Sequence, residues 1–452
     1  MQTKQQTLEG WALRNQQTSS VVRPEDKLAL DGLRDYCADT SIIGRGGGAS
    51  YGDAALNKNG VVADLRGLNR ILEFDPDHGV ITCEAGLCIT DLQAVIVPQR
   101  WFLASAPGAS QATLGGCVSF DVHGKNHEKQ GTFGKNVIRI TLLTGSGEVV
   151  ECGPQNNQTL FWATVGGMGL TGIILEVTLQ LIPVETSFMA VTKTKTRNLE
   201  ETFAAQEKSE AFDYSVTWLD TTARGKSLGR GIAINAHHAE KTKLKPKQEM
   251  QALEWADKRA YNFPWLPKRG HFRPLFLKAF NELYYHLPRN QMSIEHGHPF
   301  LFPLHSITNI NRFYGSNGFY EYQVALPDKG AYELVLYFLS EIQKYRAGSF
   351  LTVLKRFGPK NDAPMSFPIS GITLSVQILA NDPEIMNLLG LFDEKTAKAG
   401  GRVYLAKDSR LIPSVLDTMY PLRKNWAVFL DQNDPNHVFT SDLSHRLGLR
   451  VV

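Results

Sequence analysis

Two stretches concentrate residue types that can hold a phosphate-bearing ligand. The first is GRGGGASYGD, residues 44–53. Gly44, Gly46, Gly47 and Gly48 permit backbone angles closed to other residues and leave amide N–H groups uncovered. Successive amides of this kind form an anion-binding nest without any lysine, and Ser50 adds a hydroxyl donor. The second is PGASQATLGGCVSFDVHGKNHEKQGTFG, residues 107–134, where Ser110, Gln111 and Thr113 precede Gly115 and Gly116. It is too long for an idle connection. Two such loops point to one ligand with a long, phosphate-containing body; the competing reading is that the glycines serve tight turns alone.

A third glycine cluster, Gly167-Met168-Gly169-Leu170-Thr171-Gly172, has GxGxxG spacing, but the strand-like run IILEVTLQLIP follows it. A dinucleotide fold requires a helix at that point, so no Rossmann site is expected. Five cysteines (Cys37, Cys83, Cys88, Cys117, Cys152) form no CxxC pair and are odd in number. This suits a reducing compartment and argues against a disulfide scaffold or a zinc site; no metal is expected.

The elements that must position these loops follow from the pattern. The spacing predicts a helix over 24–37, short strands at 41–43 and 61–65, and a hairpin turning at Asp75–Gly79. A helix from Thr90 ends at Pro98; strands follow at 137–143, 148–152 and through IILEVTLQLIP. Near 185–200 the glycine clusters thin out. Alternating strands (214–220, 318–327, 350–358) and the amphipathic helix 331–345 then suggest an antiparallel sheet with helices on one face. The fold class is α+β.

The 452 residues suffice for about two to four domains or subdomains. Hydrophobic content of 42% excludes a disordered chain, and a net charge of 48 − 45 = +3 gives no nucleic-acid signature. The start is polar and no apolar run reaches the roughly 18 residues of a membrane span, so a soluble protein kept on the cytoplasmic side is expected. Residues 241–289 depart from the average, with 11 Lys/Arg against 4 Asp/Glu. Trp255, Tyr261, Phe263, Trp265, Phe272, Phe276 and Phe280 are interleaved with them. The functional reading is a surface that meets a membrane or a lipid-linked anion, peripherally at the inner membrane. The competing reading is a solvated insertion whose aromatics pack inward.

PGASQATLGG, FDVHGKNH and FWATVGGMGLTG, with GRGGGASYGD upstream, resemble the FAD-binding domain of the vanillyl-alcohol oxidase / p-cresol methylhydroxylase superfamily. The resemblance continues through NRFYGSNGFYEYQ, LKRFGPKNDAPMSFPISG and YLAKDSR. It is nearest to the branch that oxidises polyprenylphosphoryl ribose, and weakest over 185–300. It implies a two-subdomain FAD-binding domain built from residues 1–190 and 401–452, interrupted by an antiparallel-sheet substrate (cap) domain at 191–400. The first loop, Gly44, Arg45, Gly46, Gly47, Gly48, Ala49, Ser50, Tyr51, Gly52, Asp53 and Ala54, and the second, Gly108, Thr113, Leu114, Gly115 and Gly116, would lie along FAD. Phe120, Asp121, Val122 and His123 would pass the flavin, Ile174 the adenine side, and Tyr404 the isoalloxazine.

Relatives often tether FAD to a histidine in the first loop. Ala49 stands at that position, so non-covalent FAD is expected. The implied reaction is hydride transfer from a secondary alcohol to flavin N5, with His123 and Lys407 as catalytic residues. The competing reading pairs Lys407 with Asp408 and makes His123 a turn cap. Tyr51, His123, Lys125, Tyr314, Gln323, Lys355 and Ser375 are the implied substrate contacts, the lysines facing phosphate. Ser375 replaces a cysteine of that branch, so thiol-directed inhibitors should not act. The implied substrate is a polyprenylphosphoryl-β-D-ribose oxidised at the 2′-hydroxyl. A separate NAD(P)H-dependent short-chain reductase would then complete epimerisation to the arabinose form. The alternatives are an oxidase of free sugars, alditols or aldonolactones, and a flavin carrier with no alcohol substrate.

Overall fold

The computed structural model describes residues 3–26, 40–255, 261–264, 266–268, 274–287, 291–305 and 307–450. Most of the helix expected over 24–37, Cys37, Trp265 and Phe272 lie outside them.

Among the described residues three large sheets carry the chain, beside a two-stranded parallel pair of Tyr261–Asn262 and Ile307–Thr308. In the first, Lys4–Leu8, Gln17–Val22, Val61–Asp64 and Ile42–Arg45 lie in that order, the last three strands parallel. Strand Ile42–Arg45 delivers the first glycine loop. The second runs Ile71–Asp75, Val80–Glu84, Ile173–Pro183, Val137–Leu143, Val149–Cys152, with Trp101–Leu103 on the far end of the central strand. Ile173–Pro183 is central because its β-branched residues suit a sheet buried on both faces; Pro183, with no N–H to donate, closes it. The GxGxxG segment leads into this strand, as its composition required.

The third sheet has eight antiparallel strands: Met292–His296, Phe188–Thr196, Gly231–His238, Tyr214–Leu219, Thr352–Phe357, Gly371–Leu379, Phe319–Leu326, Arg402–Val403. In its strands Thr352–Phe357, Gly371–Leu379 and Phe319–Leu326, alternate residues face the helices and the cavity. Tyr320, Tyr322, Val324, Leu354, Leu374, Val376 and Ile378 share a core with Val335, Phe338, Leu339 and Ile342 of helix Ala331–Lys344 and Leu388, Leu389 and Phe392 of helix Glu384–Lys398. Spacing of three, four and seven along Ala331–Lys344 puts these side chains on one stripe. Phe338 meets Phe392 at 4.3 Å between ring centres, and truncating either to Ala costs about 3–5 kcal/mol. The intervening residues, Glu321, Gln323, Val353, Lys355, Ser375 and Gln377, form the opposite face.

The last segment returns to the first sheet. Phe439 bridges Ile42 in parallel, and Ile42 N donates to Val438 O at 2.7 Å. Among the described residues no helix is long and apolar enough to cross a membrane. The basic stretch divides both expectations. Trp255 packs inward against Phe102, while Tyr261, Phe276 and Phe280 are exposed.

Candidate active site

The two glycine loops press together. A Cβ on Gly46 would lie 2.0 Å from Thr113 Oγ1, one on Gly47 2.0 Å from Gln111 O, and Gly48 has φ +65°. The glycines therefore permit the loop-to-loop contact, a packing role beyond the tight turns of the competing reading. The same contact also exposes their amides. Among the described residues, the N–H groups of Gly47, Gly48, Ala49 and Ser50 donate to no protein acceptor, and these residues line a cavity of about 630 Å³. Four uncommitted amides at a cavity wall fit a diphosphate. The apolar lining beyond them, Leu65, Ala85 and Ile174, fits flat rings. The residues present fit FAD.

From the second loop the chain turns at Asp121, whose φ of +41° is rare outside glycine. Three bonds to its carboxylate hold the turn: Gly134 N at 2.9 Å, Asn361 Nδ2 at 2.6 Å and Ser366 Oγ at 2.5 Å. Burial pushes that carboxyl's pKa up, opposed by these bonds. The turn aims Val122 and His123 into the cavity.

His123 is buried, and burial together with Lys355, His127 and Lys407 drives its pKa well below the usual value. Its imidazole is neutral. Gln323 Nε2 lies 3.0 Å from His123 Nε2 and 3.1 Å from Thr373 Oγ1. With the amide so placed, Gln323 donates to both, while His123 Nδ1 is buried and meets no hydrogen-bond partner. Tyr404 stacks on Phe367 at 4.5 Å and donates to Phe120 O at 3.1 Å, fixing the wall beside His123.

Lys407 Nζ donates to Glu321 Oε1 at 2.9 Å and lies 4.9 Å from the Tyr51 ring centre. It does not pair with Asp408, which instead receives Arg446 at 2.9 Å. Lys355 lines the cavity, and no hydrogen bond or ion pair holds its amine among the described residues. Burial, then the neighbouring Lys407 and Lys125, lowers its pKa to about 7. Lys125 is lowered to about 8, chiefly by burial. Its amine donates to Phe300 O and sits 4.5 Å from that ring's centre, so it is committed to protein rather than free for phosphate.

Not every expected residue reaches the wall. Tyr314 stands one layer back, stacked on Phe319 at 3.9 Å, and Phe319 in turn meets Tyr51 edge-on. Arg45 turns away to Ala55 O and Glu9 O, and Asp53 binds Arg446. Leu114 is core, and Gly52 backs onto Asp408. With Asp121, these residues shape the loops instead of touching the cavity. The remaining expected residues line it together: Gly44, Gly46 to Tyr51, Ala54, Gly108, Thr113, Gly115, Gly116, Phe120, Val122, His123, Lys125, Ile174, Gln323, Lys355, Ser375, Tyr404 and Lys407.

Sequence reasoning missed Glu321, which the alternation in GFYEYQ could have exposed; Gln377 of ITLSVQ lines the cavity with it. It also missed the wall segment around Leu304 and His305, which carries no pattern.

A family model described as FAD binding domain matches residues 18–153. Decaprenylphosphoryl-beta-D-ribose oxidase of Mycolicibacterium smegmatis is 36% identical over 437 residues, 95% of this chain and 92% of that protein. A Streptomyces coelicolor protein described as an uncharacterized protein in the mprA 5′ region is 33% identical over 370 residues, covering 79% of this chain and 99% of its own. L-gulonolactone oxidase of Mus musculus is 32% identical over 202 residues, 44% of each chain. Domain, cavity and relatives define an FAD-dependent oxidoreductase. Within that class, the chain belongs to the decaprenylphosphoryl-β-D-ribose oxidase family.

Proposed function

We propose that this flavoprotein oxidises the 2′-hydroxyl of a polyprenylphosphoryl-β-D-ribose to the 2′-keto product, with FAD held non-covalently. One observation carries the reading: the decaprenylphosphoryl-ribose oxidase likeness spans nearly all of both chains, including the sheet face that floors the cavity. The likeness to L-gulonolactone oxidase covers 44% of each chain, which weighs against free lactones and sugars.

Bound FAD supplies the acceptor for the hydride. The amides of Gly47 to Ser50 hold its pyrophosphate. Ala49 offers no nucleophile, and no cysteine lines the cavity among the described residues. Lys407 and Tyr51 orient the reacting alcohol, while neutral His123, fixed by Gln323, packs beside it. Lys355 carries the free amine that meets the substrate phosphate. Leu301, Leu304, Ile307 and Ile310 give an apolar wall for the lipid.

The division into a flavin domain (1–190 with 401–452) and a cap (191–400) follows from the same reading. So does a separate NAD(P)H-dependent short-chain reductase that consumes the keto product. Helix Pro274–His286 exposes Leu275, Phe276, Phe280 and Leu283 beside a basic stretch, which supports peripheral membrane contact.

The test is anaerobic mixing with polyprenylphosphoryl ribose. Bleaching of the flavin absorbance is expected; no bleaching by it, with bleaching by a free lactone, overturns the reading. Flavin that stays with the precipitated, denatured protein overturns the non-covalent assignment.

A further inference from the structure

Glu321 is the one carboxylate lining the cavity among the described residues, and three lysines and two histidines line the same cavity. It is 7% exposed and lies on strand Phe319–Leu326, opposite Gln377 of the next strand. Its Oε1 accepts from Lys407 Nζ at 2.9 Å and from the Ser375 hydroxyl. Ser375 Oγ is also 3.4 Å from Lys407 Nζ. The titratable and charged groups facing this carboxylate are Lys407 and Lys355, with the phenols of Tyr51 and Tyr314.

This arrangement answers a question of proton balance. Oxidising an alcohol releases a hydride and a proton, and the proton needs an acceptor. Charged lysine is a donor only. His123 has Nε2 committed to Gln323 and its protonated form is disfavoured. A lysine bonded to a carboxylate escapes this limit, because it can take one proton while handing another on.

We propose that Glu321 is a positioning residue that acts through Lys407 as the terminal proton acceptor of the oxidation. The substrate O–H bond breaks as its proton moves to Lys407 Nζ, and an Nζ–H proton moves to Glu321 Oε1. The C–H bond breaks with its electron pair, the hydride passes to bound FAD, and the C–O bond becomes C=O. The alcohol is oxidised and the flavin reduced. Lys407 ends with its original charge, and Glu321 ends neutral. The proposal rests on the alcohol oxidation inferred above.

The test compares Glu321→Gln and Glu321→Asp with the wild type. Glutamine keeps the shape and a hydrogen bond to Lys407 but cannot take the proton. FAD affinity is measured by titrating apoprotein, substrate affinity by flavin fluorescence, and anaerobic flavin reduction from about pH 5 to about pH 10. For Glu321→Gln both affinities should stay within about threefold while reduction slows about a hundredfold. Any fall in rate toward acid that the wild type shows should vanish, and Glu321→Asp should restore it with part of the rate. The proposal is overturned if Glu321→Gln reduces flavin at close to the wild-type rate with its acid limb intact. It is equally overturned if that limb disappears in Lys355→Met instead, or if FAD affinity collapses in Glu321→Gln. Should polyprenylphosphoryl ribose fail to reduce the wild type, the substrate reading alone fails, and the same comparison is made with L-gulono-1,4-lactone.

Discussion

Asp53 and Arg446 lie 393 residues apart and form a two-pronged ion pair, Nε to Oδ2 at 2.7 Å and Nη2 to Oδ1 at 2.8 Å. The same guanidinium reaches Asp408 at 2.9 Å. One arginine thus ties the first flavin loop, the segment carrying Lys407 and the helix Asp442–Leu447 together. Arg446→Met leaves two buried carboxylates unpaired and should cost about 3–5 kcal/mol. Urea unfolding and FAD titration should both report the loss. A change below about 1 kcal/mol would mean that the pair is solvated in solution.

Lys407→Met should keep bound FAD, because the amide nest is untouched, yet slow anaerobic flavin reduction by about 10²–10³-fold. Stopped-flow absorbance measures this directly. Full activity would remove Lys407 from the reacting centre.

Substrate binding should weaken with rising pH. Lys355 titrates near 7 in the free cavity, so it is charged below that pH and neutral above it. A phosphate ligand requires the charged form and must recapture a proton at higher pH. The dissociation constant should therefore rise above pH 7, by up to about tenfold per unit. Lys355→Met should bind weakly and with a flat profile; an unchanged slope in the variant would place the phosphate elsewhere.

Thiol-directed electrophiles should leave the cavity unmodified. Ser375 occupies the wall, and burial lifts the thiols of Cys83 and Cys152 to about 12, which suppresses thiolate. Intact-mass measurement should show no flavin-site adduct. Ser375→Cys should gain one and lose activity with it. A labelled Ser375 in the wild type contradicts this account.

Phe276→Glu with Leu283→Glu should release the protein from anionic vesicles while leaving FAD binding unchanged. Both side chains are exposed on helix Pro274–His286, and each charge would have to enter the headgroup region. Equal sedimentation of variant and wild type would remove this helix from the membrane contact.

The glycine loops were legible because their function is local. A nest needs consecutive amides, and consecutive glycines advertise them. The large sheet was half legible. Alternation in GFYEYQVALP and GITLSVQ marks two faces, but only strand order shows that Glu321, Gln323, Ser375 and Gln377 share one of them with Lys355. Lys407 illustrates the limit. Its sequence neighbour Asp408 offered a partner, yet the two side chains diverge, and the partner it takes is Glu321, 86 residues away. Tyr314 was misplaced for a related reason. Aromatic packing fixes which of two nearby rings faces the cavity, and Tyr51 holds that position.

The parallel bridge between Ile42 and Phe439 also sets a schedule on the ribosome. The amide nest is synthesised long before the segments that support it. Its support comes from Ala406 O, which accepts from Tyr51 N at 2.9 Å, and from Asp442, whose carboxylate accepts from Lys58 N at 2.9 Å. Both are synthesised well after the nest. A nascent chain therefore exposes the glycine loops long before it can load cofactor, and shortage of FAD or a stall late in translation would leave those loops open to chaperones and proteases.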